Sequence, residues 1–90
     1  MKAGDRTKER FLKAGLRLWP NISASAIADD TGYTHANVLY HFPGDSIKDA
    51  IAEYAVEIGD SRVILQLIAA GHRATKALTQ ADRLKHFNAV

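Results

Sequence analysis

The chain has no cysteine. Disulfides, thiolate zinc sites and cysteine nucleophiles are therefore excluded, which fits a reducing compartment. Long hydrophobic runs are missing too. The longest, VILQLIAA from Val63 to Ala70, is interrupted by Gln66 and falls far short of the roughly 20 apolar residues that a membrane-spanning helix needs. The opening MKAGDRTKER is polar, so no secretory signal is expected there. No window alternates apolar and polar residues over strand length, and no repeat is present. A glycine-rich phosphate loop and a nucleophile motif are both lacking, and an enzyme is not expected. Asp82 and His86, four apart, have the spacing of a surface hydrogen bond. His35 and His41 are six apart on a short segment, and His72 and His86 have no partner at ligand spacing, so no metal or cofactor is expected.

One further absence is local. TGYTHANVLYHF, Thr31 to Phe42, holds no lysine, arginine, aspartate or glutamate in a chain where 24% of residues are charged. The surrounding charge is laid out in blocks. Residues 1–20 carry Lys2, Arg6, Lys8, Arg10, Lys13 and Arg17 against Asp5 and Glu9. Residues 21–60 carry Lys48 against Asp29, Asp30, Asp45, Asp49, Glu53, Glu57 and Asp60, and residues 61–90 are basic again. The total, +2, favours an anionic partner only weakly; the distribution is more informative.

The chain has 90 residues, one small domain whose core is marginal alone. Its pattern is all-α, with five to six short helices. The first runs from about Asp5 to Trp19, with Phe11, Leu12, Gly15, Leu16, Leu18 and Trp19 on its apolar side and Pro20 ending it. The second runs from about Ser23, a capping residue, to Asp30, with Ile27 and Ala28 inward. Gly32 breaks the chain. The third begins at Thr34 and ends before Pro43, with Val38, Leu39 and Phe42 on its inward face. The fourth starts at Asp45 or Ser46, and its apolar row is Ile47, Ala50, Ile51, Tyr54 and Ile58. Gly59 closes it, a fifth spans about Ser61 to Ala70, and a last one begins near Thr75 or Thr79.

Two short helices around a glycine turn make a helix-turn-helix. Ile27 and Val38 are its apolar anchors, and Tyr33 covers the turn. Thr34, His35, Asn37, Tyr40 and His41 then fall mostly on the opposite face of the third helix. That face offers hydrogen-bonding groups and rings without negative charge, which suits phosphates and base edges in a major groove. Asn37 has the chemistry to pair bidentately with adenine. Tyr40 reads equally well as core or as a hydroxyl offered to a phosphate. Lys2, Arg6 and Lys8 precede the motif as a basic arm, and Lys48 follows it.

SASAIADDTGYTHANVLYHFPG resembles the DNA-binding segment of the tetracycline-repressor (TetR) family, whose members read close to IA…GVS.GTLYHHF. Ile27-Ala28, Gly32, Thr34, Val38 and Tyr40-His41-Phe42 stand at matching positions, and RFLKAGLRLW is similar in kind to the family's preceding helix. The resemblance covers about residues 5–58. It implies a helix-turn-helix head on a three-helix core, a two-fold dimer on an inverted repeat of double-stranded DNA, and contacts from Thr34, His35, Asn37, Tyr40 and His41. The sequence departs from the family in its short WPNIS connection and in Asp45, where members often carry a lysine. Residues 60–90 stand where members have a further ligand-binding domain, so ligand-induced release is not expected. Val63, Ile64, Leu67, Ile68, Leu84 and Phe87 are the expected dimerisation residues. The expected function is a sequence-specific transcriptional regulator, a repressor that binds an inverted repeat as a homodimer, cytoplasmic and bacterial or phage-encoded, with no membrane partner. The alternative is a protein-interaction module that binds a partner through a ridge of Asp45, Asp49, Glu53 and Glu57.

Overall fold

The computed structural model describes residues 3–43 and 46–89; Lys2, Gly44 and Asp45 lie outside the described residues. The fold is all-α: α1 (Ala3–Leu18), α2 (Ala24–Thr31), α3 (His35–His41), α4 (Ser46–Ile58), α5 (Ser61–Ala70) and α6 (Gln80–Asn88), with one 3-10 turn over Arg73–Thr75. No strand occurs among the described residues.

The boundaries follow from local chemistry. Ser23 caps α2 by accepting the Ala26 amide at 3.0 Å, and Thr34 caps α3 by accepting the Asn37 amide at 3.1 Å. Asp60 accepts from Val63 at the start of α5. Each supplies an oxygen to a donor that the first helical turn leaves unpaired. Between α2 and α3 the chain turns at Gly32, whose φ of 79° lies where a side chain would be strained. The last helix begins after Thr79 rather than Thr75. Thr79 and Asp82 form a reciprocal capping box, whereas the Thr75 hydroxyl donates to the His72 carbonyl at 2.8 Å inside the 3-10 turn.

The chain falls into two compact units, residues 1–51 and residues 52–90. In the first, α2 packs on both α1 and α3. Phe11, Ala14, Leu16, Trp19, Ile27, Ala28, Val38, Phe42 and Ile51 are its buried apolar residues. Phe11 is central: Tyr33 meets it edge-on at 5.1 Å between centroids, and Phe42 lies at 6.3 Å. Gly15 is buried, and any side chain there would overlap Ile51 of α4, so a bare backbone is what lets the two helices meet. Leu12 and Leu18 are only half-buried, and Ala14 takes the inward place beside Phe11.

In the second unit α5 packs against α6 and the 3-10 turn. Val63, Ile64 and Leu67 are buried, as are Ala52 and Ala55 of α4. Ile58, expected inward, is 53% exposed. It stands at the last position of α4, just before the Gly59 turn. Helix α6 contributes no buried residue. Two hydrogen bonds tie it down: His86 Nδ1 with the Ser61 hydroxyl at 2.7 Å, and the Arg83 guanidinium donating to the Thr75 carbonyl at 2.9 Å.

Candidate nucleic-acid interface

Helix α3 is seven residues long and turns one row inward. Val38 and Phe42, four apart, are buried, the spacing that places two side chains one above the other on a helix. Leu39 follows Val38 by one position, about 100° around the axis, and is 41% exposed rather than part of the inward face. The outward strip is therefore His35, Ala36, Leu39 and Tyr40, all exposed. Tyr40 is the extreme case at 81%.

The other expected contact residues on α3 lie at the flanks of this strip. Thr34 is exposed, and its oxygen is engaged in the cap. Asn37 is half-buried. His41 is also half-buried, with its ring edge-on to both Phe11 and Tyr40, at 5.6 and 5.2 Å. Its imidazole thus bridges the core and the exposed phenol.

Helix α1 brings cations to both ends of α3. The Lys8 ammonium lies 5.6 Å from the centre of the Phe42 ring, at the end of α3. The Arg10 guanidinium donates to the Tyr33 hydroxyl at 2.8 Å, just before α3 begins. Both residues are exposed, as is Arg6 one turn earlier. The remaining cations of α1 are engaged elsewhere: Lys13 pairs with Glu9 at 3.2 Å, and Arg17 pairs with Asp30 of α2. The second pair neutralises one of the two acids on α2, while Asp29 stays exposed. Lys48 is not part of this group. Its ammonium sits 5.7 Å from the Trp19 ring, eight residues beyond Phe11, or roughly 12 Å along α1.

Arg10, Ala36 and Leu39 lie exposed on the same surface and were not among the residues expected to contact DNA. The spacing of Arg6, Arg10, Lys13 and Arg17, at four, three and four residues, already marks one stripe of α1. For Leu39 the available signal was that an inward row of two large side chains fills so short a helix.

The expected dimerisation residues divide. Val63, Ile64 and Leu67 are buried within the chain itself, so α5 satisfies its apolar face without a partner. Ile68 is half-buried, and Leu84 and Phe87 are each 55% exposed. Of the acidic ridge, Asp49 is half-buried, Glu53 and Glu57 are exposed, and Asp45 lies outside the described residues. Among the described residues no group of three histidines, cysteines or carboxylates is placed to hold a metal ion, and no helix is long and apolar enough to cross a membrane. Comparison with protein-family models, curated proteins and solved structures finds no match to this chain.

Proposed function

We propose that this chain is a sequence-specific DNA-binding regulator that enters the major groove with α3, as its resemblance to the TetR head implies. The observation that carries the reading is the pairing of an acid-free outward strip on α3 with exposed cations at both of its ends, Lys8 beside Phe42 and Arg10 beside Tyr33. Cations that flank a recognition helix can neutralise phosphates on either side of the groove, while the strip meets base edges. A homodimer on an inverted repeat, with half-sites about one helical turn apart, fits the exposed apolar side chains of α6, Leu84 and Phe87. The setting proposed for it is the cytoplasm of a bacterium or phage host.

The test is selection of random-sequence duplexes by the purified protein at two salt concentrations, with the stoichiometry of the complex measured by light scattering. An enriched inverted repeat bound by two copies is the expected result. Recovery of no preferred sequence, with binding lost at moderate salt, would sink the proposal. A second reading then takes its place. Glu53 and Glu57 stand exposed four residues apart on α4, and a basic protein partner is the natural occupant of such a ridge.

A further inference from the structure

The outward strip of α3 places two apolar side chains, Ala36 and Leu39, between the imidazole of His35 and the phenol of Tyr40. Ala36 and Leu39 contribute only methyl and isobutyl groups, and both are exposed. The Thr34 oxygen is occupied by the Asn37 amide, and the Asn37 side chain is half-buried. Between His35 and Tyr40 the exposed surface of α3 is therefore hydrocarbon, from Ala36 and Leu39. An exposed leucine on a short helix is by itself unremarkable. Here it lies between Lys8 at one end of the helix and Arg10 at the other, and Thr31 to Phe42 carries no charge of either sign. A polyanion whose surface also presents apolar groups matches that combination. In the major groove of DNA the only apolar group on a base edge is the C5-methyl of thymine.

We infer that Ala36 and Leu39 form a reading strip for thymine methyl groups, so that part of the sequence preference comes from methyl burial. The inference rests on the proposal that α3 enters the major groove. Ala36 lies in the first turn of α3 and Leu39 one turn later, so the two side chains share one side of the helix. Adjacent thymines, on one strand or across it, are the targets such a pair can cover. Tyr40, 81% exposed beside Leu39, extends the strip toward the sugar-phosphate edge, where its hydroxyl can donate to a phosphate oxygen.

Uracil provides a direct test, because deoxyuridine keeps every Watson–Crick and major-groove polar group of thymidine and removes only the methyl. The sequence enriched from random duplexes is made twice, once with thymidine and once with deoxyuridine throughout, and then with single replacements. Wild-type protein is expected to lose about fourfold in affinity per contacted methyl, the effect of burying one carbon of that size. Leu39→Ala should bind the two duplexes with a reduced difference, and Leu39→Met, which keeps an apolar side chain of similar volume, should retain it. Circular dichroism confirms that the variants fold; Leu39 is 41% exposed, so truncation leaves the core intact. Equal binding of thymidine and deoxyuridine duplexes by the wild type overturns the inference while leaving DNA binding standing. A deoxyuridine penalty of the same size in Leu39→Ala and Ala36→Ser assigns the methyl contact elsewhere and also overturns it. Failure to retain any duplex removes this inference and the proposal beneath it together.

Discussion

At the scale of single residues, the two cations beside α3 hold different kinds of position. Lys8 lies over the Phe42 ring and Arg10 is hydrogen-bonded to Tyr33, so each is held beside α3 in the free protein, as the proposed DNA binding requires. Pre-positioned side chains lose less freedom on binding than mobile ones. Lys8→Ala and Arg10→Ala are each expected to weaken binding to all sequences alike and to reduce the dependence of log affinity on log salt by about one unit, one phosphate contact apiece. Titration of each variant over several salt concentrations checks this. A variant with an unchanged slope would place its cation away from the phosphates. Arg10 shows where a sequence reading stops. Its charge and its stripe are visible in the spacing of α1, but its partner, Tyr33, is 23 residues away and emerges only when α2 folds back on α1. Gly32, Ser23 and Thr34 were legible for the opposite reason: a turn glycine and two caps act within four residues of themselves, so local chemistry alone decides them.

At the scale of elements, α5 and α6 differ in what holds them. The apolar row of α5 is buried, whereas α6 has no buried residue and depends on its cap and two hydrogen bonds. The carboxyl of Asp82 is held below its ordinary value of 3.8, chiefly by the Thr79 backbone N–H and then by the Thr79 side chain; His86 and Lys85 add to the effect, and slight desolvation opposes it. A carboxylate whose pKa is lower in the folded helix stabilises that helix above its unfolded value. The contribution is lost as pH falls through the lowered folded value. Helix α6 is therefore expected to fray at acid pH, below the ordinary carboxylate range, before α5 does. Carbonyl chemical shifts of Gln80–Asn88, followed by NMR as the pH is lowered, report this directly. Asp82→Asn should weaken α6 at neutral pH and remove its acid-dependent step. An acid-insensitive α6 in the wild type would mean that the capping box does not hold the helix. The sequence pattern showed α5 clearly and α6 only loosely, because periodicity detects burial and α6 is held by polar contacts instead.

At the scale of the whole molecule, the proposed self-association and the fold draw on different side chains. Leu67 is 2% exposed and Phe87 is 55% exposed. Leu67→Ala is expected to cost about 2–5 kcal/mol of stability, the usual range for emptying a buried leucine site, as measured by denaturant unfolding. Phe87→Ala should change stability by no more than about 1 kcal/mol and instead weaken the proposed dimer, with sedimentation equilibrium as the measurement. Dimerisation that survives Phe87→Ala and Leu84→Ala would move the interface off α6. The sequence marked both helices as apolar, and it could not divide them, since the same VILQLIAA run serves equally to fill a core or to meet a second copy until its neighbours are in place.

Trp19 is the sole tryptophan of the chain. It is 8% exposed with the Lys48 ammonium over its ring, about 12 Å along α1 from the Phe11 contact with α3. Tyr40, by contrast, projects fully into solvent. The sheltered indole reports unfolding of α1 and its surroundings, while Tyr40, the most exposed of the three tyrosines, reports what docks on α3 once its share of the phenol emission is isolated by comparison with Tyr40→Phe. The indole emission and the difference between wild type and Tyr40→Phe together distinguish a ligand that occupies the strip from one that loosens the fold.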